Sequence, residues 1–150
     1  MEKLKKLLRR AKKVTKERKK IFEVIFNEAV KDEIIRLNTD VQLFEQGLDA
    51  RGVSLESIGG EYAPFTVLMK KEQGLPFTRV TLYDTGEFYA SFEVVVNDEG
   101  FSIKADTAKE GSDLRDRWGD RILGLSNESI KEIKPLFIEE LKKAYLRQII

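Results

Sequence analysis

The sequence predicts an α+β fold: a long N-terminal helix, a small antiparallel sheet with a hairpin at about residues 88–106, and a C-terminal amphipathic helix packed on the sheet. Three observations lead there. Apolar residues recur at three-then-four spacing before residue 38 and again after residue 126, while between residues 80 and 105 they alternate with polar ones. Glycine and proline are missing before Gly47. The segment Asn97-Asp98-Glu99-Gly100 separates two alternating runs, as a hairpin turn does.

Taken in order, Leu4, Leu7, Ala11, Val14, Ile21 and Ile25 form one stripe, widened by Leu8, Phe22 and Phe26. This spacing predicts one helix from about residue 3 to residue 38, or two in series, with Asn38-Thr39-Asp40 as its stop. Arg18 interrupts the seam of the first half, whereas the second half is richer in apolar positions: Ile21, Phe22, Ile25, Phe26, Ala29, Ile34 and Leu37. Residues 1–20 are therefore expected to project as an arm and residues 21–150 to form the globular body of a single domain, 1–150. Residues 41–60, punctuated by Gly47, Gly52, Gly59 and Gly60, read as a loop with room for a short hairpin. A brief helix follows over residues 61–74, with Pro64 in its first turn and Gly74 at its end. The period then becomes two. Val80 and Leu82 alternate with polar neighbours, and Phe88, Ala90, Phe92, Val94 and Val96 define one face of a strand. Phe101, Ile103 and Ala105 return on the far side of the turn. Residues 107–120 read as a polar surface loop holding the single tryptophan, Trp118. Ser126 is the expected N-cap of the last helix, whose stripe is Ile130, Ile133, Phe137, Leu141, Tyr145 and Ile149; Pro135 either kinks that helix or opens its main segment.

Composition narrows the chemistry. With 41% hydrophobic and 35% charged residues and no long apolar run, neither a membrane span nor a secretory leader is expected. The chain has no cysteine and no histidine, which removes disulfides, thiolate metal sites and histidine-based catalysis. No metal, cofactor or small-molecule substrate is expected, and the chain reads as a non-enzyme. The net charge of +1 conceals a strong asymmetry. Residues 1–20 carry eleven Lys or Arg against two Glu, a net of +9, and the other 130 residues carry sixteen basic against twenty-four acidic groups, a net of −8.

A basic arm on an acidic body suits nucleic acid, an acidic partner, or the body of a neighbouring copy. Lys5, Lys6, Arg9, Arg10, Lys12, Lys13 and Lys16 are the candidate partner-binding residues, with a solvated helix face as the alternative. Trp118 is a further candidate contact, or else an anchor of a small satellite core.

The most provocative triplet is Asp84-Thr85-Gly86, preceded by Leu82-Tyr83. It resembles the catalytic turn of retropepsin-like aspartic proteases, whose homodimers place two such aspartates side by side to share a proton. The later Ile122-Leu123-Gly124 before a helix resembles the segment that braces that turn. Against this, Glu87 stands where the family keeps a small residue, and only about 35 residues separate the two segments. This alternative makes Asp84 catalytic.

The same segments read with their flanks resemble a second family more closely. Asp84-Thr85-Gly86-Glu87-Phe88-Tyr89-Ala90-Ser91-Phe92 leads into the hairpin sequence, and Arg121-Ile122-Leu123-Gly124-Leu125-Ser126 opens the closing helix. That order resembles tail-completion and virion-morphogenesis proteins of tailed bacteriophages, including Mu-type examples and head–tail joining relatives. The likeness covers about residues 80–147. Phe88 replaces a frequent leucine, and the proline common before Ile122 is missing. The resemblance implies a structural role for Thr85, Gly86, Phe88, Phe92, Leu123, Gly124 and Ser126. It also implies assembly as a homo-oligomeric ring with portal, connector or tail-tube proteins in the virion, after synthesis in the bacterial host cytoplasm. Within such a ring the arm has three suitable partners: DNA in the channel, an acidic portal surface, or the next copy.

Overall fold

The N-terminal helical run breaks at Asn27, whose Oδ1 accepts from Val30 N at 3.0 Å and caps a second helix. The run is thus two helices in series, α1 (Glu2–Ile25) and α2 (Glu28–Arg36). The computed structural model describes residues 1–149, without the side chains of Thr15, Gln148 and Ile149, so the stripe position assigned to Ile149 lies outside the described side chains. Helical structure continues beyond α2 as a π-helix, Leu37–Gln46, which ends at Gly47 with φ +63°. Asn38-Thr39-Asp40 therefore does not stop the helix, contrary to the sequence expectation. Asn and Thr end helices when their side chains compete for local backbone groups. Here Asn38 bonds to a carbonyl 84 residues away, and Thr39 Oγ1 donates back to Ile35 O at 2.8 Å within the helix.

The expected loop over residues 41–60 is also more ordered than its glycines suggest. After the π-helix, Leu48 and Ser54 form one antiparallel bridge. The turn between them is organised by the fully buried Asp49, which accepts from Arg51 N at 2.9 Å and Val53 N at 3.0 Å. Helix α3 (Leu55–Gly59) follows. Helix α4 (Pro64–Glu72) has Pro64 in its first turn, and Gly74 lies past its end at φ +70°, as expected.

The sheet is shorter than the alternation predicts. Residues 87–90 form a single helical turn, α5 (Glu87–Ala90), and the strand begins only at Glu93. A hairpin of β1 (Glu93–Asn97) and β2 (Gly100–Lys104) results, in antiparallel register from Glu93 opposite Lys104 to Asn97 opposite Gly100. The predicted strand start at residue 88 fails for a geometric reason. Positions i and i+4 share a face in a strand and in a helix alike. Phe88 and Phe92 therefore meet edge-to-face, ring centres 5.0 Å apart, across the end of a helical turn, while Ala90, at i+2, is exposed rather than in the core. Nor do Val80 and Leu82 belong to a strand. A second, two-residue-per-strand hairpin joins β3 (Ala108–Lys109) to β4 (Ser112–Asp113) and runs into α6 (Leu114–Trp118), where a surface loop was expected.

Helix α7 (Asn127–Ile149) closes the chain, with Pro135 inside it and Ser126 as its cap: Ser126 Oγ accepts from Ser129 N at 3.2 Å. Ser129, Ile133 and Ala144 are buried along it and Phe137 is half-buried, whereas Ile130, Leu141 and Tyr145 are exposed. The helical period is as predicted, but only Ile133 of the predicted stripe is fully buried, against α2 and the hairpin, while Ser129 and Ala144 take the other buried positions. The exposure of Ala29 in α2 is a similar shift by one position, since Val30 takes the core site.

Two buried clusters result. Phe26, Val30, Ile34, Leu37, Val94 and Ile133 join α2 and α7 to the hairpin. Leu43, Leu55, Val80, Leu82, Phe88, Phe92, Leu114, Trp118 and Ile122 form the other, with Ile35 and Ile103 packed against both. Each fully buried Leu, Ile or Val contributes about 1.5–3 kcal/mol. Phe26 marks the junction of the first cluster, with its ring 5.1 Å from Phe101 of β2 and 5.3 Å from Phe137 of α7.

Candidate functional site

Asp84 lies on a turn held from three sides. Thr81 is completely buried; its amide donates to Tyr62 Oη at 2.9 Å, and its carbonyl accepts from Tyr89 Oη at 2.6 Å. Burial pushes the Tyr89 phenol far above its ordinary pKa, so it remains a donor. Leu82 then adopts φ +59°, an uncommon conformation for a branched apolar side chain, so that its side chain enters the core at 7% exposure. Lys70 of α4 donates its ammonium to Tyr83 O and fixes the next residue. Gly86 follows at φ +91°, and a Cβ there would lie 3.1 Å from Tyr83 Oη. Thr85 Oγ1 accepts from Glu87 N at 3.3 Å, which turns the chain into α5. Asp84 and Glu87 face solvent, and Phe88 and Phe92 face the core.

The segment at Leu123-Gly124 does not brace this turn. It is gripped by the π-helix instead, through two buried amides that sequence reasoning did not single out. Asn38 Nδ2 donates to Ile122 O at 2.9 Å, and Gly124 N donates to Asn38 Oδ1 at 2.8 Å. Gln42 Nε2 donates to Gly124 O at 2.8 Å, and Ser126 N donates to Gln42 Oε1 at 2.8 Å. Both side chains are fully buried, and their four hydrogen bonds use all the amide groups that face the segment. Gly124, at φ +144°, sits where a side chain would be strained, and a Cβ there would press on Ala50 Cβ at 3.1 Å. The readable signal was the i, i+4 spacing of Asn38 and Gln42 on one helical face among apolar neighbours. The two sequence motifs nevertheless share one core, since Phe88 and Phe92 pack in the same cluster as Ile122.

The other candidate surface is α1. Lys5, Lys6, Arg9, Arg10, Lys12, Lys13 and Lys16 are all exposed. So are the apolar positions between them: Leu4, Leu7, Leu8 and Val14 are each more than half exposed. The pair Lys13–Glu17, 3.9 Å apart with both side chains in solvent, adds little. Further along, Ile21 and Val24 of α1 and Ala144 and Arg147 of α7 line one small surface cavity. Phe26, at the C-cap of α1, meets Phe137, so the two helices run antiparallel and α1 continues past the end of α7. Trp118 takes the second of its two readings, a core anchor. It is 4% exposed and lies on Gly59, where an added Cβ would approach its ring to 2.3 Å.

Among the described residues, no group of three or more His, Cys, Asp or Glu side chains is placed to hold a metal ion, and no helix is long and apolar enough to cross a membrane. No protein-family model, curated protein or solved structure matches the chain.

Proposed function

We propose that this chain is a non-enzymatic structural protein of a phage virion, a tail-completion or neck component that assembles as a ring with portal, connector or tail-tube proteins. The observation that carries the reading is the state of α1. A helix of net charge +9 over residues 1–20 leaves its leucines in solvent and is attached to a body of net charge −8. Such a surface is costly to a free protomer and suited to a contact. A head-to-tail contact between basic arm and acidic body repeats around a ring until it closes. The order of the two sequence motifs, and their packing into one core, supports the family resemblance.

The protease alternative needs Gly124 to brace the Asp84 turn, and Gly124 sits on Ala50 and Asn38 instead. The deciding experiment compares the full chain with a variant lacking residues 1–20, alone and mixed with portal or tail-tube protein, by light scattering. Assembly predicts that the deletion leaves monomer where the full chain forms rings. Asp84→Asn is expected to leave assembly unchanged. Peptide cleavage at about pH 4–6 that Asp84→Asn abolishes refutes the assembly reading. Retained affinity of the arm for DNA with a steep salt slope, and no protein contact, moves the function to nucleic-acid binding.

A further inference from the structure

Beside the Asp84 turn, α4 and the β3–α6 region enclose an open groove of about 400 Å³, within the range of about 300–1,000 Å³ typical of ligand sites. Its charge runs against that of the body. Lys70, Lys109 and Arg117 line it against one carboxylate, Asp84, on a body whose other charges sum to a negative excess. Among the described residues none of the three cations forms an ion pair. Lys70 is the most telling, since it is only 6% exposed yet has a carbonyl and the Tyr62 ring, 4.7 Å away, as its neighbours instead of a carboxylate. An ammonium that lines the groove with no carboxylate beside it is a ready partner for an incoming anion. Arg117 is held in place over the Trp118 ring at 4.5 Å by its bond to Gly59 O.

The rim is apolar. Phe65 is 72% exposed, and Leu68 and Met69 extend the same face of α4 at i+3 and i+4. Exposed apolar surface next to unpaired cations defines the chemistry of an occupant: carboxylates for the groove, and a large apolar side chain for the α4 face. A nucleic-acid strand fits less well, because it needs a continuous basic track; this groove is short and has Asp84 at its edge.

We infer that the groove docks an acidic peptide segment of a separate partner protein, with an aromatic or aliphatic residue against Phe65 and carboxylates toward Lys109, Arg117 and Lys70. The inference does not rest on the virion reading. The test uses the full chain and an end-blocked peptide, Asp-Glu-Phe-Leu-Glu-Asp, followed by Trp118 emission and by calorimetry. Trp118 is the single tryptophan and lines the groove, so its emission reports occupancy. Saturable binding is expected below about 1 mM peptide, with at least about tenfold weakening by Lys109→Glu and by Phe65→Ala. Both positions are exposed, so neither variant threatens the fold. A peptide with lysine for each acidic residue is expected to be inert. Absence of both heat and emission change, or equal affinity for the Lys109→Glu variant, overturns the inference. Self-association that Lys109→Glu abolishes assigns the groove to a second copy, and tighter binding of single-stranded oligonucleotide at the same site assigns it to nucleic acid; either overturns the proposed partner.

Discussion

Replacing Asn38 by alanine tests whether the π-helix holds the segment that launches α7. The change removes two hydrogen bonds at once, those to Ile122 O and from Gly124 N, at 2.9 and 2.8 Å. The bond to Ile122 O is buried and that from Gly124 N is partly buried, so water replaces the lost side chain poorly. Leaving a buried polar group unpaired costs about 1–3 kcal/mol, and the freed side-chain entropy returns part of it. Two groups at that cost, less the returned entropy, place the loss at about 1–5 kcal/mol, a large share of the stability of an ordinary domain. Gln42→Ala removes the matching pair on Gly124 O and Ser126 N and is expected to cost a similar amount. Because both amides hold Gly124, the double variant is expected to fall short of additivity by about 0.5–3 kcal/mol. Urea unfolding followed by Trp118 emission measures all four states of the cycle, since Trp118 packs in the same cluster as Ile122. At this chain length each kcal/mol also lowers Tm by about 2–4 °C. Losses below about 0.5 kcal/mol in both single variants refute the clamp.

Gly59→Ala places a Cβ 2.3 Å from the Trp118 ring, so the indole must shift; a loss of about 1–3 kcal/mol is expected, together with a changed near-ultraviolet dichroism of Trp118. Acid sensitivity is expected from Asp113 and Glu33. Hydrogen bonds from Arg115 N to Asp113, and from Arg36 to Glu33, hold both carboxyls below their ordinary values. A lowered folded-state pKa means the stabilisation is complete above the unfolded value near 4 and declines as pH falls through the folded value. Denaturant titrations at stepwise lower pH are therefore expected to show falling stability, with a shallower slope in Asp113→Asn.

Much of the element order was legible because apolar periodicity acts over short windows. The helices around Ile34 and Ile133 follow from spacing alone, as does the Asn97–Gly100 turn. What escaped depends on long-range partners. Asn38 reads as a helix breaker until its acceptor at Ile122 is known. Phe88 and Phe92 fit a strand and a helical turn equally, and the left-handed Gly86 and the Thr85 hydroxyl bond before them favour the turn. The face of α7 that is buried depends on the elements packed against it, with Ile133 among Val30, Ile34 and Val94, which no local pattern encodes. As for the candidate site, the exposure of the basic arm was readable from its charge, whereas the burial of Trp118 and Lys70 depended on packing between α3, α4 and α6.

Because α1 is a continuous helix, its charge is carried on a rod instead of a coil. The sixteen residues from Glu2 to Glu17 span about 24 Å at 1.5 Å per residue. That is about three Debye lengths at physiological ionic strength. The lysines near the tip are therefore electrically isolated from the acidic body that bears them. The molecule does not fold its opposite charges back on each other, and it meets its surroundings as a dipole with two separately addressable poles. Raising the salt shortens the reach of each pole without bringing the two into balance.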